Sequence, residues 1–219
     1  MNLWFEAKNG YGTGGGHLYP IPRSLSLMSL EKRRLRTTLR VRRQALSAPA
    51  RRDAAARLAR FAPRALRGAR YIGAYLPHGS ELDPRPLMRA LRRAGCIVCV
   101  PAVARRAAGP LAFRIVRAPF VTNDHGIREP RWGARIPPWR LDAVLLPLVG
   151  FDARGRRLGQ GGGHYDRTFA ARFRWRRRPR LIGIGFECQR VAQLPKEGHD
   201  VHLHAVLTEK RVYKVRRPV

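Results

Sequence analysis

The stretch from residue 141 to residue 175 constrains the fold of this chain most strongly. Residues 141–149 form the most apolar run of the sequence, and its length is typical of a buried strand. A loop with glycines at 159, 161, 162 and 163 follows, and a helix is predicted over residues 164–175. This order predicts an α/β unit in which backbone amides at the start of the helix can approach phosphate oxygens.

The rest of the chain also alternates short apolar runs with helical stretches. Ser29 is the predicted N-cap of the first helix, and Pro101 is expected to end the second strand. The alternation favours a three-layer α/β fold, with a mostly parallel central sheet and helices on both faces. Further helices are predicted over residues 49–66 and 84–94, and further strands over residues 71–76, 96–100, 111–116 and 181–186, with one or two more within 201–215.

Residues 1–28 do not share this pattern. They contain five glycines between residues 10 and 16 and prolines at 20 and 22, with few charged side chains. Glycine and proline at this density favour a flexible segment. We therefore predict a dispensable extension over residues 1–28, with Met28 as the working start, and a single domain over residues 29–219.

The chain is strongly basic, with 45 Lys and Arg against 14 Asp and Glu and a formal net charge of +31. This balance excludes an acidic disordered chain and favours anionic partners. Forty of the basic residues are Arg, which a GC-rich genome also produces, so the charge alone does not indicate nucleic acid. No apolar run approaches the roughly 20 residues of a membrane span, and three cysteines indicate no disulfide framework. A cytoplasmic protein is expected.

Residues 146–167 carry a pattern more specific than glycine spacing. They read Leu-Pro-Leu-Val-Gly-Phe-Asp-Ala-Arg-Gly-Arg-Arg-Leu-Gly-Gln-Gly-Gly-Gly-His-Tyr-Asp-Arg. This stretch resembles the signature of the 5-formyltetrahydrofolate cyclo-ligase family (5,10-methenyltetrahydrofolate synthetase), although His164 stands where Tyr is usual. Weaker matches occur in the same order at residues 32–36, 75–84, 126–130 and 185–209, where His204 replaces a more usual Asp. The resemblance covers about residues 29–213 and implies a Rossmann-like sheet of the NagB/RpiA/CoA transferase-like type.

The resemblance implies ATP-dependent cyclisation of 5-formyltetrahydrofolate to 5,10-methenyltetrahydrofolate, with release of ADP and phosphate. Mg²⁺ would be held by Asp166 and Asp200. The implied partners are small molecules, namely ATP and the folate with or without a polyglutamate tail; a monomer is expected, with no membrane and no specific nucleic acid. The implied ATP-binding residues are Lys32, Arg36, Arg157, Leu158, Gly159, Gln160, Gly161, Gly162, Gly163, His164 and Tyr165. The implied folate-binding residues are Leu76, Glu81, Gly161, Gly162, Gly163 and His164, and the implied catalytic residues are Arg157, Gly161, Gly163 and Tyr165.

Other interpretations of the same residues stay open at this point. The glycine loop can be a tight turn that packs a helix on a strand, and the stripe of basic residues after Lys32 can be a solvated helix face. Cys96 and Cys99 lie an odd number of residues apart in a predicted strand, which favours core packing on opposite faces. His199, His202 and His204 beside Asp200 allow a zinc site. The mixed aromatic and basic run at 173–180 allows a nucleic-acid-binding protein on the same fold without cyclo-ligase activity, or the chain can be a weakly active family member.

Overall fold

The computed structural model describes residues 23–102, 111–116, 120–122, 128–131, 133–170, 172–176, 178–195 and 200–215. The helices of this part of the chain are α1 (Arg23–Gln44), α2 (Ala48–Ala65), α3 (Arg85–Arg93) and α4 (His164–Phe169). The strands are β1 (Tyr71–Gly73), β2 (Ile97–Ala102), β3 (Ala112–Ile115), β4 (Phe120–Thr122), β5 (Arg128–Pro130), β6 (Arg135–Ile136), β7 (Ala143–Pro147), β8 (Gly150–Phe151), β9 (Arg157–Leu158), β10 (Arg180–Ile184), β11 (Ala205–Leu207) and β12 (Val212–Lys214).

Eight of these strands form one mixed sheet in the order β12-β11-β10-β7-β1-β2-β3-β6. The five strands from β11 to β2 in this order run parallel, and β12, β3 and β6 pair antiparallel at the two edges. The prediction of a mostly parallel central sheet is confirmed. Two small antiparallel ribbons, β4-β5 and β8-β9, lie outside it.

Helices cover both faces of the sheet, as predicted. On one face, Leu58 of α2 and Leu87 of α3 are fully buried against Ile72 of β1. On the other face, Phe169 of α4 is fully buried with Phe113 of β3. Helix α1 belongs to neither layer. Its buried Leu39 packs with Val149, Leu158 and Leu194 beyond the end of β7.

Helix boundaries differ from the predictions at two places. Helix α1 begins at Arg23, so Ser29 lies within it and is not its N-cap. Helix α4 ends at Phe169 rather than near residue 175, and a short 3-10 turn follows at Arg172–Arg174. Ser47 does act as the N-cap of α2, where its hydroxyl accepts a hydrogen bond from the Ala50 amide. The predicted extension now shares its last residues with a helix, and residues 1–22 lie outside the described residues.

Pro101 does not end strand β2, which continues to Ala102. The backbone amides and carbonyls of the odd-numbered residues of β2 point toward β1. The Ile97 amide donates to the Arg70 carbonyl, and the Cys99 carbonyl accepts from the Ala74 amide. Strand β1 ends at Gly73, opposite Cys99, so the position of Pro101 requires no amide donor toward β1. Cys96 and Cys99 are unbridged and pack on opposite faces of the sheet, which confirms the core interpretation.

Among the described residues, no helix combines the length and the hydropathy that crossing a membrane requires.

Candidate active site

A cavity of about 380 Å³ opens beyond the carboxyl end of β7, where the glycine-rich loop connects β9 to α4. Ligands of open α/β sheets characteristically bind beyond the carboxyl ends of the parallel strands. The cavity brings together every residue predicted for ATP and both predicted metal ligands. Its lining consists of Ser29, Lys32, Arg36, Pro147, Arg157, Leu158, Gly159, Gln160, Gly161, Gly162, Gly163, His164, Tyr165, Asp166 and Asp200.

The glycine loop needs glycine at two positions for reasons of backbone geometry. Gly161 has a φ of +112° and Gly163 a φ of +62°, and both values lie in the region that side chains disfavour. Gly163 is the N-cap residue of α4, and a Cβ built on it would lie 2.7 Å from the Arg167 guanidinium. These glycines therefore allow the chain to turn sharply from the loop into the helix.

Arginine side chains hold the loop through its carbonyl oxygens. Arg36 Nε of α1 donates to the Gly159 carbonyl at 2.9 Å, and Arg167 donates to the Gly162 carbonyl at 2.7 Å. Arg40, one helical turn beyond Arg36, donates to the Gln160 side chain at 2.8 Å. The basic stripe of α1 is thus not simply a solvated face, because two of its arginines fix the loop.

Two ion pairs cross the cavity. Lys32 Nζ lies 2.7 Å from Asp200 Oδ2, and Arg157 lies 2.8 Å from Asp166 Oδ1. The side chains of Lys32 and Arg157 are only 7% and 5% exposed, so each cation is held almost entirely inside the protein. Two of the predicted phosphate-binding cations, Lys32 and Arg157, are therefore each paired with a predicted metal ligand.

Arg157 has a further hydrogen-bonding capacity. Its Nε is buried, and no group among the described residues accepts a hydrogen bond from it. Its guanidinium also lies over the Tyr165 ring, with 5.7 Å between guanidinium carbon and ring centroid. Burial, followed by the negative charge of Glu81, raises the pKa of the Tyr165 phenol. The phenol therefore stays protonated at neutral pH and can donate a hydrogen bond.

The two residues predicted for the folate side, Leu76 and Glu81, do not line this cavity. Leu76 packs against the core on the α2 and α3 face of the sheet. Glu81 touches the loop, because its Oε1 accepts a hydrogen bond from Gln160 Nε2 at 2.9 Å. Its other oxygen accepts the His78 amide at 3.0 Å. Glu81 is thus adjacent to the cavity and linked to it by one side chain.

One residue of the signature has a structural role instead of a place in the cavity. Asp152 is fully buried, and its carboxylate accepts hydrogen bonds from the amides of Arg154, Arg156 and Leu194. It therefore shapes the turn that precedes the glycine loop. Ser29 and Pro147 line the cavity although neither was predicted as a site residue, since only the fold brings α1 to the end of β7.

The zinc interpretation finds no support in the described residues. They contain no group of three His, Cys, Asp or Glu side chains that could hold a metal, and His199 lies outside them. His204 Nδ1 accepts a hydrogen bond from the Leu181 amide at 3.0 Å, which fixes the chain between β10 and β11. Residues 126 and 127 of the predicted 126–130 motif also lie outside the described residues.

Comparisons with known proteins show the family to which these residues belong. The sequence profile of the 5-formyltetrahydrofolate cyclo-ligase family matches residues 28–209. The chain is 36% identical over 184 residues to the 5-formyltetrahydrofolate cyclo-ligase of Escherichia coli (strain K12), covering 80% of this chain and 99% of the relative. The corresponding protein of Haemophilus influenzae is 33% identical over 146 residues, covering 64% of this chain and 76% of the relative.

A solved structure shares the fold. The NMR structure of the Aquifex aeolicus 5,10-methenyltetrahydrofolate synthetase superposes with a TM-score of 0.69 at 26% identity, covering 86% of this chain and 94% of that one. The family profile spans most of the chain and includes the whole glycine loop. The chain therefore belongs to the 5-formyltetrahydrofolate cyclo-ligase family.

Proposed function

We propose that this protein catalyses the ATP- and Mg²⁺-dependent cyclisation of 5-formyltetrahydrofolate to 5,10-methenyltetrahydrofolate. The observation that carries the proposal is the cavity itself, which combines a glycine loop, two buried cations and two carboxylates in a member of this family. The alternative of a nucleic-acid-binding protein without this activity has no comparable support in the cavity.

The reaction requires the protein to activate a poor leaving group. The formyl oxygen attacks the γ-phosphorus of ATP, and the bond from phosphorus to the bridging oxygen breaks to release ADP. N10 of the folate then attacks the activated carbon, and the carbon–oxygen bond breaks to release phosphate. The N10 proton passes to solvent. Such a sequence depends on alignment of the two substrates and on positive charge around the transferred phosphoryl group.

Lys32 and Arg157 are the residues that would supply this charge. Both are nearly inaccessible to water, so their interaction with a phosphate oxygen is stronger than at an exposed site. The unpartnered Nε of Arg157 adds a donor that a phosphate or formyl oxygen would satisfy. Arg36 would act with them, and the backbone amides of the loop from Leu158 to Gly163, with His164 and Tyr165, would complete the nucleotide site.

Asp166 and Asp200 are the residues that would hold Mg²⁺. The described residues contain no all-protein metal cage, but Mg²⁺ characteristically takes one or two carboxylates and completes its shell with substrate phosphates and water. The donor set of this cavity fits that pattern. When bound, the ion would neutralise phosphate charge. Asp166 and Asp200 would then exchange their arginine and lysine partners for the ion, which releases both cations toward ATP.

Glu81 and Leu76 would form the folate side next to the cavity. Glu81 is held by Gln160 of the loop, so pterin N–H donors would have to replace that contact. Loss of the hydrogen bond between Gln160 and Glu81 would thus couple folate binding to the loop of the nucleotide site. We also propose that the working unit is a cytoplasmic monomer whose domain starts near residue 29.

The direct test is the absorbance of the methenyl product in the near ultraviolet. Purified protein is mixed with ATP, Mg²⁺ and 5-formyltetrahydrofolate, and reactions without each component serve as controls. We expect product and one ADP per product only in the complete mixture. A folded protein that forms no methenyl product in the complete mixture would refute the proposal.

A further inference from the structure

A second cavity lies at the amino-terminal ends of the parallel strands, whereas the candidate active site lies at their carboxyl ends. It has a volume of about 470 Å³, within the range of roughly 300–1,000 Å³ that is usual for ligand sites. Its lining consists of Tyr71, Trp139, Arg140, Trp175 and Arg176. These residues lie at or just before the first residues of β1, β7 and β10, which run parallel. The strand β7, roughly 15 Å long, therefore separates this cavity from the glycine loop.

The aromatic side chains form a partly exposed stacking surface. Trp139 is 52% exposed, although large apolar side chains are usually covered. It meets Trp175 edge to face, with 6.1 Å between ring centroids, and Trp175 is anchored in the same way on the buried Phe169 at 6.0 Å. Trp175 is thus anchored on the core, and the exposed Trp139 ring beside it offers aromatic surface to a flat ligand.

The polar groups of the cavity are cationic. Among the described residues, no hydrogen-bond or ion-pair partner occupies the guanidinium of Arg140 or that of Arg176. The nearest carboxylate in sequence is Asp142, whose Oδ2 accepts the amides of Arg70 and Tyr71 at 2.9 and 2.8 Å. It is therefore bonded to the backbone, and it forms no ion pair with either arginine.

A basic segment leads away from the cavity. Arg174, Arg176 and Arg178 alternate along it and are exposed, whereas the guanidinium of Arg180 donates to the Ala65 carbonyl of α2 at 2.9 Å, toward the other face of the sheet. A small anion needs only the cavity, whereas this extended charge matches a chain of phosphates. Aromatic rings for bases and arginines for the backbone are the combination that binds single strands without reading their sequence.

We propose that this second cavity binds single-stranded nucleic acid, with a base stacked on Trp139 and phosphates on Arg140 and Arg176. The site is separate from the cyclo-ligase cavity, and the proposal does not depend on the enzyme activity. It adds a contact that tolerates any sequence, which is compatible with the expectation of no specific nucleic acid.

The test uses a fluorescein-labelled oligouridylate of about 12 nucleotides, a length within the usual single-strand site size. Anisotropy gives the affinity of the full chain at several salt concentrations. We expect Trp139→Ala to weaken binding about five- to one-hundred-fold, which corresponds to the loss of one stacked base. We expect the double variant Arg140→Gln with Arg176→Gln to lower the slope of log affinity against log salt by about 1.4.

Matched controls separate this site from the general charge of the protein. Arg89→Gln with Arg93→Gln removes the same charge from exposed positions of α3, on the other face of the sheet, and should leave the salt slope nearly unchanged. Val41→Ala truncates another exposed apolar side chain and should not alter affinity. Unfolding midpoints of all variants establish that each is folded.

Two results would overturn the proposal. Equal losses in the cavity variants and in the α3 controls would show that binding follows net charge only. Competition by uridine monophosphate that matches the oligonucleotide at equal concentration would show a site for a small aromatic anion instead of a strand.

Discussion

Replacing Asp166 by Asn separates a role in the reaction from a role in the fold. Asp166 Oδ1 accepts hydrogen bonds from Arg157 at 2.8 Å and from the Val201 amide at 3.2 Å. Asn keeps an acceptor oxygen for both donors and loses only the charge. A charged hydrogen bond contributes about 1.5–3 kcal/mol and a neutral one about 0.5–1.5 kcal/mol. The substitution should therefore lower the free energy of unfolding by about 1–2 kcal/mol.

The effect on turnover should be larger. If Asp166 holds the ion that neutralises the phosphates, its charge acts mainly on the transition state, and loss of a comparable electrostatic group costs roughly 10²–10³-fold in kcat. Urea denaturation gives the stability change, and the methenyl absorbance gives kcat and KM. A loss of 1–2 kcal/mol corresponds to a fall in unfolding midpoint of roughly 2–8 °C, so the variant should be fully folded in the assay.

Asp166→Ala is the informative companion variant. It leaves Arg157 and the Val201 amide without their acceptor, which should cost about 1–3 kcal/mol beyond the Asn variant. The two variants should then differ in stability and agree in turnover. Turnover that falls in proportion to stability across both, or an Asn variant with unchanged kcat, would refute the metal-ligand role and leave Asp166 as the structural partner of Arg157.

Three further predictions test other parts of the structure. Gly163→Ala should lower the free energy of unfolding by about 1–2 kcal/mol, because its φ of +62° disfavours a side chain and its Cβ would lie 2.7 Å from Arg167. Gly162 has no positive φ, so Gly162→Ala should lower the free energy of unfolding less in the same urea titration. Equal losses in the two variants would contradict the strain argument. Burial, followed by the charge of Glu81, raises the pKa of the Tyr75 phenol well above its ordinary value, so the unfolded chain loses this proton first and stability should fall as pH rises above about 10. Tyr75→Phe should make that fall shallower, and an unchanged slope would show that Tyr75 does not titrate differently in the two states. A protein that starts at Met28 should keep its turnover, since the cavity residues begin at Ser29; a large loss of kcat would show that the preceding residues complete the site.

Much of the site could be predicted from the sequence, because its residues are concentrated in one continuous motif. Residues 157–166 supply most of the cavity lining, and a strand, a glycine loop and a helix in that order have few possible geometries. The parallel sheet could be predicted for a different reason, because strands that alternate with helices are buried on both faces of the sheet. The end of β2 could not be predicted, because a proline does not show where the neighbouring strand ends. The start of α1 could not be predicted either, because Ser29 fits the local capping pattern without being the cap.

Only the tertiary structure decided how distant residues combine. The sequence places Lys32 and Asp200 168 residues apart, and the packing of α1 beyond the end of β7 brings them to 2.7 Å. The second cavity likewise exists because β1, β7 and β10 begin at the same end of the sheet, which brings Trp139 into contact with Trp175. A sequence pattern records which side chains follow one another along a local element. Contacts between elements depend on the order of strands in the sheet, which here follows β10-β7-β1-β2 and not the order of the chain.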